Sequence, residues 1–90
     1  MLSKIPSEKV EEREKDKEII RVGLIAELDA INLYEQLASA TSNEKIKKVL
    51  WDIAREEKTH VGEFLTLLLE MDEEQTKELE KGKAEIQELE

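Results

Sequence analysis

The sequence predicts an all-α fold, in which an antiparallel hairpin of two long helices is followed by a short third helix. Of the 90 residues, 41% are charged and 39% are hydrophobic, a balance that favours helices with one narrow apolar stripe each. The apolar residues recur at helical spacing along both long segments. A clear break lies between them, where Thr41, Ser42 and Asn43 are all good N-cap residues.

The elements follow in order along a single domain, residues 1–90. Residues 1–7 form a short leader in which Pro6 and Ser7 are suited to starting a helix. We predict a first helix from about residue 8 to about 40, and a second from about 43 to about 70 that begins with a Thr41–Glu44 capping box. Asp72, with Gln75 three positions later, marks the start of a third helix from about 73 to 90.

Charge and composition exclude several classes of function. The net charge of −9 makes nucleic acid an unsuitable partner, because its phosphates would be repelled. The absence of cysteine excludes disulfides, thiolate zinc sites and iron–sulfur clusters. Because the chain has neither an apolar run long enough to span a bilayer nor a signal peptide, we expect a cytoplasmic protein without a membrane partner. So short a hairpin buries little surface alone, which predicts an oligomer.

Two carboxylates lie where apolar side chains are expected. At about 100° per residue, Glu27 is in the middle of the apolar stripe of the first helix. Glu57 has the same position on the second helix, and His60, three residues later, shares that stripe. The stripe around Glu27 comprises Ile20, Leu24, Ile31, Tyr34 and Ala38. The stripe around Glu57 and His60 comprises Ile46, Leu50, Ile53, Ala54, Val61, Phe64, Leu67 and Leu68.

The three polar residues are expected to meet. Ser42 lies 15 residues after Glu27 and 15 before Glu57, so an antiparallel hairpin brings both carboxylates to one height. Two carboxylates in an apolar layer are costly unless a cation neutralises them. Two Glu and one His form a ligand set suited to iron or manganese, and three protein ligands leave positions open for reaction.

One chain contains half of a di-iron constellation. Di-iron carboxylate bundles take a Glu from each of two helices and a Glu-x-x-His from each of the other two. Glu27 is the lone Glu here, and Glu57 with His60 forms the Glu-x-x-His. Two-fold pairing of hairpins would complete both a ferritin-like four-helix bundle and a shared site. Two alternatives remain: a rubrerythrin-like peroxide reductase, and a non-catalytic helical assembly or adaptor module whose site is structural or empty.

The segments 26–36, AELDAINLYEQ, and 55–60, REEKTH, resemble the encapsulated ferritins, which are the ferritin-like cargo of encapsulin nanocompartments. The resemblance covers about residues 19–80 and implies dimers that assemble into a ring, typically a decamer. It implies a ferroxidase centre of two irons between subunits, with Glu27, Glu57 and His60 as metal ligands and Tyr34 beside them. It also implies oxidation of Fe(II) to Fe(III), with the mineral stored inside an encapsulin shell.

Overall fold

The computed structural model describes residues 12–90, which form three α-helices and no strand, so the all-α prediction is confirmed. Helix α1 spans Glu12–Ala40, α2 spans Glu44–Met71 and α3 spans Glu73–Glu88. The predicted leader and the first-helix start near residue 8 lie outside the described residues. The other predicted boundaries fall within one residue of those observed, except that α3 ends at Glu88 instead of running to 90.

The turn between α1 and α2 differs from the predicted capping box. Asn43 is the N-cap of α2, and its side-chain oxygen accepts a hydrogen bond from the Ile46 amide at 3.0 Å. The Thr41 hydroxyl instead accepts from the Asn43 amide at 3.1 Å. The Thr41–Glu44 box was therefore wrong, because α2 begins two residues too late for Thr41 to reach its first turn.

The joint between α2 and α3 depends on Asp72. Its amide donates to the Leu68 carbonyl at 2.9 Å, which closes α2. Its carboxylate accepts from the Gln75 amide at 3.0 Å, as predicted, and from the Arg21 guanidinium of α1 at 3.0 Å. The Gln75 hydrogen bond lowers the pKa of Asp72, and contact with Arg21 and the charge of Lys17 add to this against the opposing effect of partial burial. The Asp72 carboxylate therefore links the joint between α2 and α3 to α1.

The hairpin has a very thin core. Within the described chain the buried hydrophobic residues are Ala38, Ala54 and Leu68, all on the predicted stripes. Ile46 and Leu67 were also assigned to these stripes, but they are 50% and 45% exposed, because α1 covers only part of the apolar face of α2. The radius of gyration of 16.6 Å exceeds the value of about 12 Å expected for a compact chain of this length. A single copy therefore leaves much of its apolar surface uncovered.

Helix α3 projects away from the hairpin. It packs on α2 near the Asp72 joint and makes no packing contact with α1 over the described residues. Two of its apolar side chains stay in solvent: Ile86 is 63% exposed, and Leu89, at the C-terminal cap, is 83% exposed. The third helix thus adds little to the core of this chain.

Candidate metal centre

The three residues singled out from the sequence converge between α1 and α2. Glu27, Glu57 and His60 each offer one ligand atom, and these atoms all lie within 4.8 Å of one another. The Nδ1 atom of His60 is 3.4 Å from a carboxylate oxygen of Glu27 and 3.7 Å from one of Glu57. The two carboxylates reach the same level because the hairpin is antiparallel and they are equally distant from its turn.

Helices α1 and α2 approach each other closely beside these three residues. A Cβ atom placed on Gly23 of α1 would lie 2.7 Å from Cε1 of Phe64 on α2. Gly23 precedes Glu27 by four residues and Phe64 follows His60 by four, so this contact lies one turn, about 6 Å, along the hairpin. The missing side chain at Gly23 lets the helices come near enough for the polar groups to meet.

The carboxylates are largely withdrawn from solvent. The Glu27 and Glu57 side chains are 20% and 18% exposed, whereas the His60 side chain is 43% exposed. One oxygen of Glu27, Oε2, is buried and has no hydrogen-bond partner among the described residues. Its 3.4 Å contact with Nδ1 of His60 is not a hydrogen bond, and it is an ion pair only when the imidazole is protonated. A buried oxygen without a donor is costly, and a bound cation would satisfy it.

The close approach of these three groups shifts the pKa values of Glu57 and His60. Contact with the Glu27 carboxyl group raises the pKa of Glu57, as do partial burial and repulsion between the two carboxylates, while His60 opposes the shift. Partial burial lowers the pKa of His60, but contact with Glu27 and the charges of Glu27, Glu57 and Glu63 outweigh it and raise the pKa overall. The group holds more negative charge than its single imidazole can balance.

The nearby basic side chains are directed elsewhere. The ammonium group of Lys58 lies 3.1 Å from the carboxylate of Glu35, and Arg55 pairs with Asp52 on its own helix. Lys58 therefore reaches α1 at Glu35, away from Glu27 and Glu57. Within residues 12–90, His60 is therefore the basic side chain that contacts these two carboxylates.

Two further residues, Tyr34 and Glu63, lie on the helices that carry the ligands. Tyr34, placed beside the ligands by resemblance, is half-buried on α1 two turns after Glu27 and makes no hydrogen bond to the three ligands within the described chain. Glu63 is exposed on α2 three residues after His60, and its negative charge is among the causes that raise the pKa of His60.

Comparison with known proteins identifies the family. A sequence model described as EncFtn-like matches residues 3–83, which is nearly the whole chain. The chain belongs to the EncFtn-like family. This confirms the resemblance to encapsulated ferritins that segments 26–36 and 55–60 indicated.

Individual relatives of this EncFtn-like chain agree with that assignment. It is 56% identical over 77 residues to a ferritin-like–encapsulin shell fusion protein of Pyrococcus furiosus, covering 86% of this chain and 22% of that protein. It is 45% identical over 56 residues to the encapsulin nanocompartment cargo protein EncC of Myxococcus xanthus, covering 62% of this chain and 43% of that protein. The chain thus spans less than half the length of these curated relatives.

A solved structure shares the fold of the EncFtn-like chain. The crystal structure of the encapsulated ferritin domain from Pyrococcus furiosus superposes with a TM-score of 0.87 at 50% identity, covering 99% of this chain and 95% of that one. The ferritin-like fold is therefore confirmed. Among residues 12–90, no helix combines the length and the apolar character needed to cross a membrane.

Proposed function

We propose that the chain is a ferroxidase whose Glu27, Glu57 and His60 form half of a di-iron centre. The observation that carries this proposal is the convergence of three ligand atoms within 4.8 Å around a buried Glu27 oxygen that lacks a partner. Carboxylate and imidazole donors fit iron, and among the described residues no Lys or Arg pairs with Glu27 or Glu57. Iron enters as Fe(II) and is the substrate as well as the metal held.

Completion of the centre by a second copy is supported by the exposed apolar surface around His60. Val49 and Leu67 lie 11 residues before and seven after His60, spacings that bring all three to one flank of α2. Val49 is 54% exposed and Leu67 is 45% exposed. An apolar flank that contains a metal ligand suits a two-fold contact, in which two copies contribute four carboxylates and two imidazoles.

The proposed reaction oxidises two Fe(II) ions to Fe(III). Two electrons pass to dioxygen, which takes up two protons and leaves as hydrogen peroxide. Glu27 and Glu57 supply the negative charge that stabilises the more highly charged product, and each carboxylate can bind through one oxygen or two. His60 fixes the position of the ion with a neutral donor. The proposed role of the Tyr34 hydroxyl is to assist the oxidation of Fe(II) without binding iron.

The setting of this activity is proposed from the relatives. The names of the similar proteins describe fusion to an encapsulin shell or cargo of an encapsulin nanocompartment. We infer that this domain also works inside such a compartment in the cytoplasm, with an encapsulin shell protein as partner. Pairs of the chain would assemble further into a ring, and Fe(III) would leave toward a mineral outside the protein.

Stopped-flow absorbance tests the activity directly. Air-saturated buffer is mixed with protein preloaded anaerobically with Fe(II), and the rise of Fe(III) absorbance is compared with that of protein-free iron. Glu57→Ala is expected to lose the protein-dependent rate. Glu56→Ala removes an exposed carboxylate from the adjacent position and is expected to retain it.

Equal rates for Glu57→Ala and the parent would contradict the assigned ligands. A parent without any protein-dependent oxidation would favour the helical assembly module instead. The shared centre has its own test, because native mass spectrometry with and without Mn(II) reports pairing. A chain that stays monomeric with saturating Mn(II) would contradict a site built from two copies.

A further inference from the structure

The direction of α3 is set at a corner of one residue. Asp72 alone lies between Met71, which ends α2, and Glu73, which begins α3. Its backbone is extended, with φ at −131° and ψ at 92°, so the helical path is broken there. Within residues 12–90, α3 packs on α2 and not on α1. The conformation at Asp72 therefore determines the angle between α3 and the hairpin.

A small change at this corner has a large effect at the far end of α3. At about 1.5 Å per residue, the 16 residues of α3 extend about 24 Å, so a swing of about 20° moves the far end by about 8 Å. That end carries Ile86 and Leu89, which are the most exposed of the large hydrophobic side chains in the described chain. Their position relative to the hairpin depends on what holds the corner.

The Asp72 carboxylate binds two helices through different oxygens. Its Oδ1 accepts a hydrogen bond from the Gln75 amide at 3.0 Å, which caps α3. Its Oδ2 accepts from the guanidinium of Arg21, a residue of α1, at 3.0 Å. The Asp72 side chain is only 12% exposed, so salt screens this ion pair less than one in open solvent. One carboxylate thus connects the N-terminus of α3 to a helix on which α3 does not pack.

Further hydrogen bonds hold the corner on both sides. The Arg13 guanidinium of α1 donates to the carbonyl of Met71, the last residue of α2, at 3.1 Å. The Thr76 hydroxyl of α3 donates to the Leu69 carbonyl of α2 at 2.9 Å. Helix α1 therefore contacts the corner at two points, and the first turn of α3 is also bonded to α2.

We propose that Arg21 and Asp72 form an orientation lock, which keeps α3 as a rigid arm at a fixed angle to the hairpin. Loss of the Arg21 contact leaves the cap on α3 in place but removes a support that α1 gives to the corner. The far end of α3 then swings while both long helices stay folded. The lock contains none of the three proposed metal ligands, so it does not depend on the proposed ferroxidase function.

Distances between two spin labels test the lock, because the chain has no cysteine and two introduced cysteines are the only labelled sites. Gln36→Cys on α1 and Gln87→Cys on α3 both replace exposed side chains. Pulsed electron paramagnetic resonance is recorded on metal-free protein, diluted with unlabelled chain so that distances within one chain dominate. The labelled parent is expected to give one narrow distance distribution.

Arg21→Ala is expected to broaden this distribution by about 8 Å, the displacement that corresponds to a swing of about 20°. Arg21→Lys keeps a charged donor and should retain most of the narrow distribution. Asp72→Asn can cap α3 through its amide oxygen, but its amide nitrogen cannot accept from Arg21, so it should broaden the distribution as Arg21→Ala does. Arg55→Ala is the matched control, since Arg55 pairs with Asp52 on its own helix.

Circular dichroism checks that each variant keeps its helices. Equal distributions for the parent and Arg21→Ala would overturn the lock, because the contacts of the corner with α2 would then suffice. Equal broadening by Arg21→Ala and Arg55→Ala would also overturn it, since any lost arginine would have the same effect. A parent that fails to oxidise Fe(II) would contradict the proposed function and leave these metal-free distances unchanged.

Discussion

Gly23→Ala is expected to destabilise the hairpin at the contact that adjoins the metal centre. The new methyl group would lie 2.7 Å and 2.8 Å from two ring atoms of Phe64, well inside the usual carbon–carbon contact of about 3.5–4.0 Å. Crowding of this kind costs about 1–3 kcal/mol. Replacing Gly by Ala within a helix returns about 1 kcal/mol, so the net effect ranges from near zero to a loss of about 2 kcal/mol.

Gly62→Ala isolates the packing cost. Gly62 is also inside a long helix, and a Cβ there meets no atom of the described chain within 4 Å. This variant is therefore expected to gain about 1 kcal/mol from helix propensity alone. Because that gain is common to both substitutions, Gly23→Ala should be less stable than Gly62→Ala by about 1–3 kcal/mol.

Urea unfolding of the metal-free proteins, followed by circular dichroism at one protein concentration, measures this difference. Phe64→Leu in the Gly23→Ala background should recover much of it, because the ring atoms that clash are removed. Gly23→Ala should also bind Mn(II) more weakly, since helices forced apart one turn away separate Glu27 from His60. Equal stability of the two alanine variants would refute this reasoning and mean that the ring moves aside freely.

Three further predictions address single groups. Glu57→Gln should raise the melting temperature of the metal-free protein at neutral pH, because the raised pKa of Glu57 shows that its charged form is unfavourable in the folded state. The gain should vanish in acid, where the carboxyl group of the parent is protonated. Mn(II) should stabilise the parent more than the variant. Tyr34→Phe should slow Fe(II) oxidation without weakening Mn(II) binding, and unchanged stopped-flow rates would contradict its assigned role. Asp72 has a lowered pKa, so the stability it provides is complete above its ordinary value of 3.8 and is lost as the pH falls through the lower folded value. Asp72→Asn, which can still cap α3, should remove this acid dependence, as urea melts at several pH values would report.

The sequence predicted the fold and the convergence of Glu27, Glu57 and His60, because both depend on helical periodicity. A Glu in the middle of an apolar stripe is visible from helical spacing, and equal distances from one turn bring Glu27 and Glu57 to one height. The joint at Asp72 followed in the same way from a local capping pattern, and the structure contains that cap.

The missed features depend on atomic detail that periodicity does not contain. Several adjacent residues could have capped α2, and the choice of Asn43 was decided by the path of the chain through the turn. The approach of Gly23 to Phe64 is a property of how two helices cross, which stripes alone do not specify. Ile46 and Leu67 belong to an apolar stripe that is wider than one neighbouring helix can cover.

The exposed flank of α2 couples assembly to metal binding in the proposed function. His60 lies on the same surface as Val49 and Leu67, so a second copy that covers this apolar surface also encloses the ligands. Burial of the carboxylates without a cation would oppose pairing, because two sets of negative charge would meet in a poorly hydrated layer. In the proposed function, bound iron would remove that opposition. By linkage, whatever factor pairing contributes to metal affinity, the metal must return to pairing, so a substitution on this flank that weakens pairing should also weaken metal binding at the shared site.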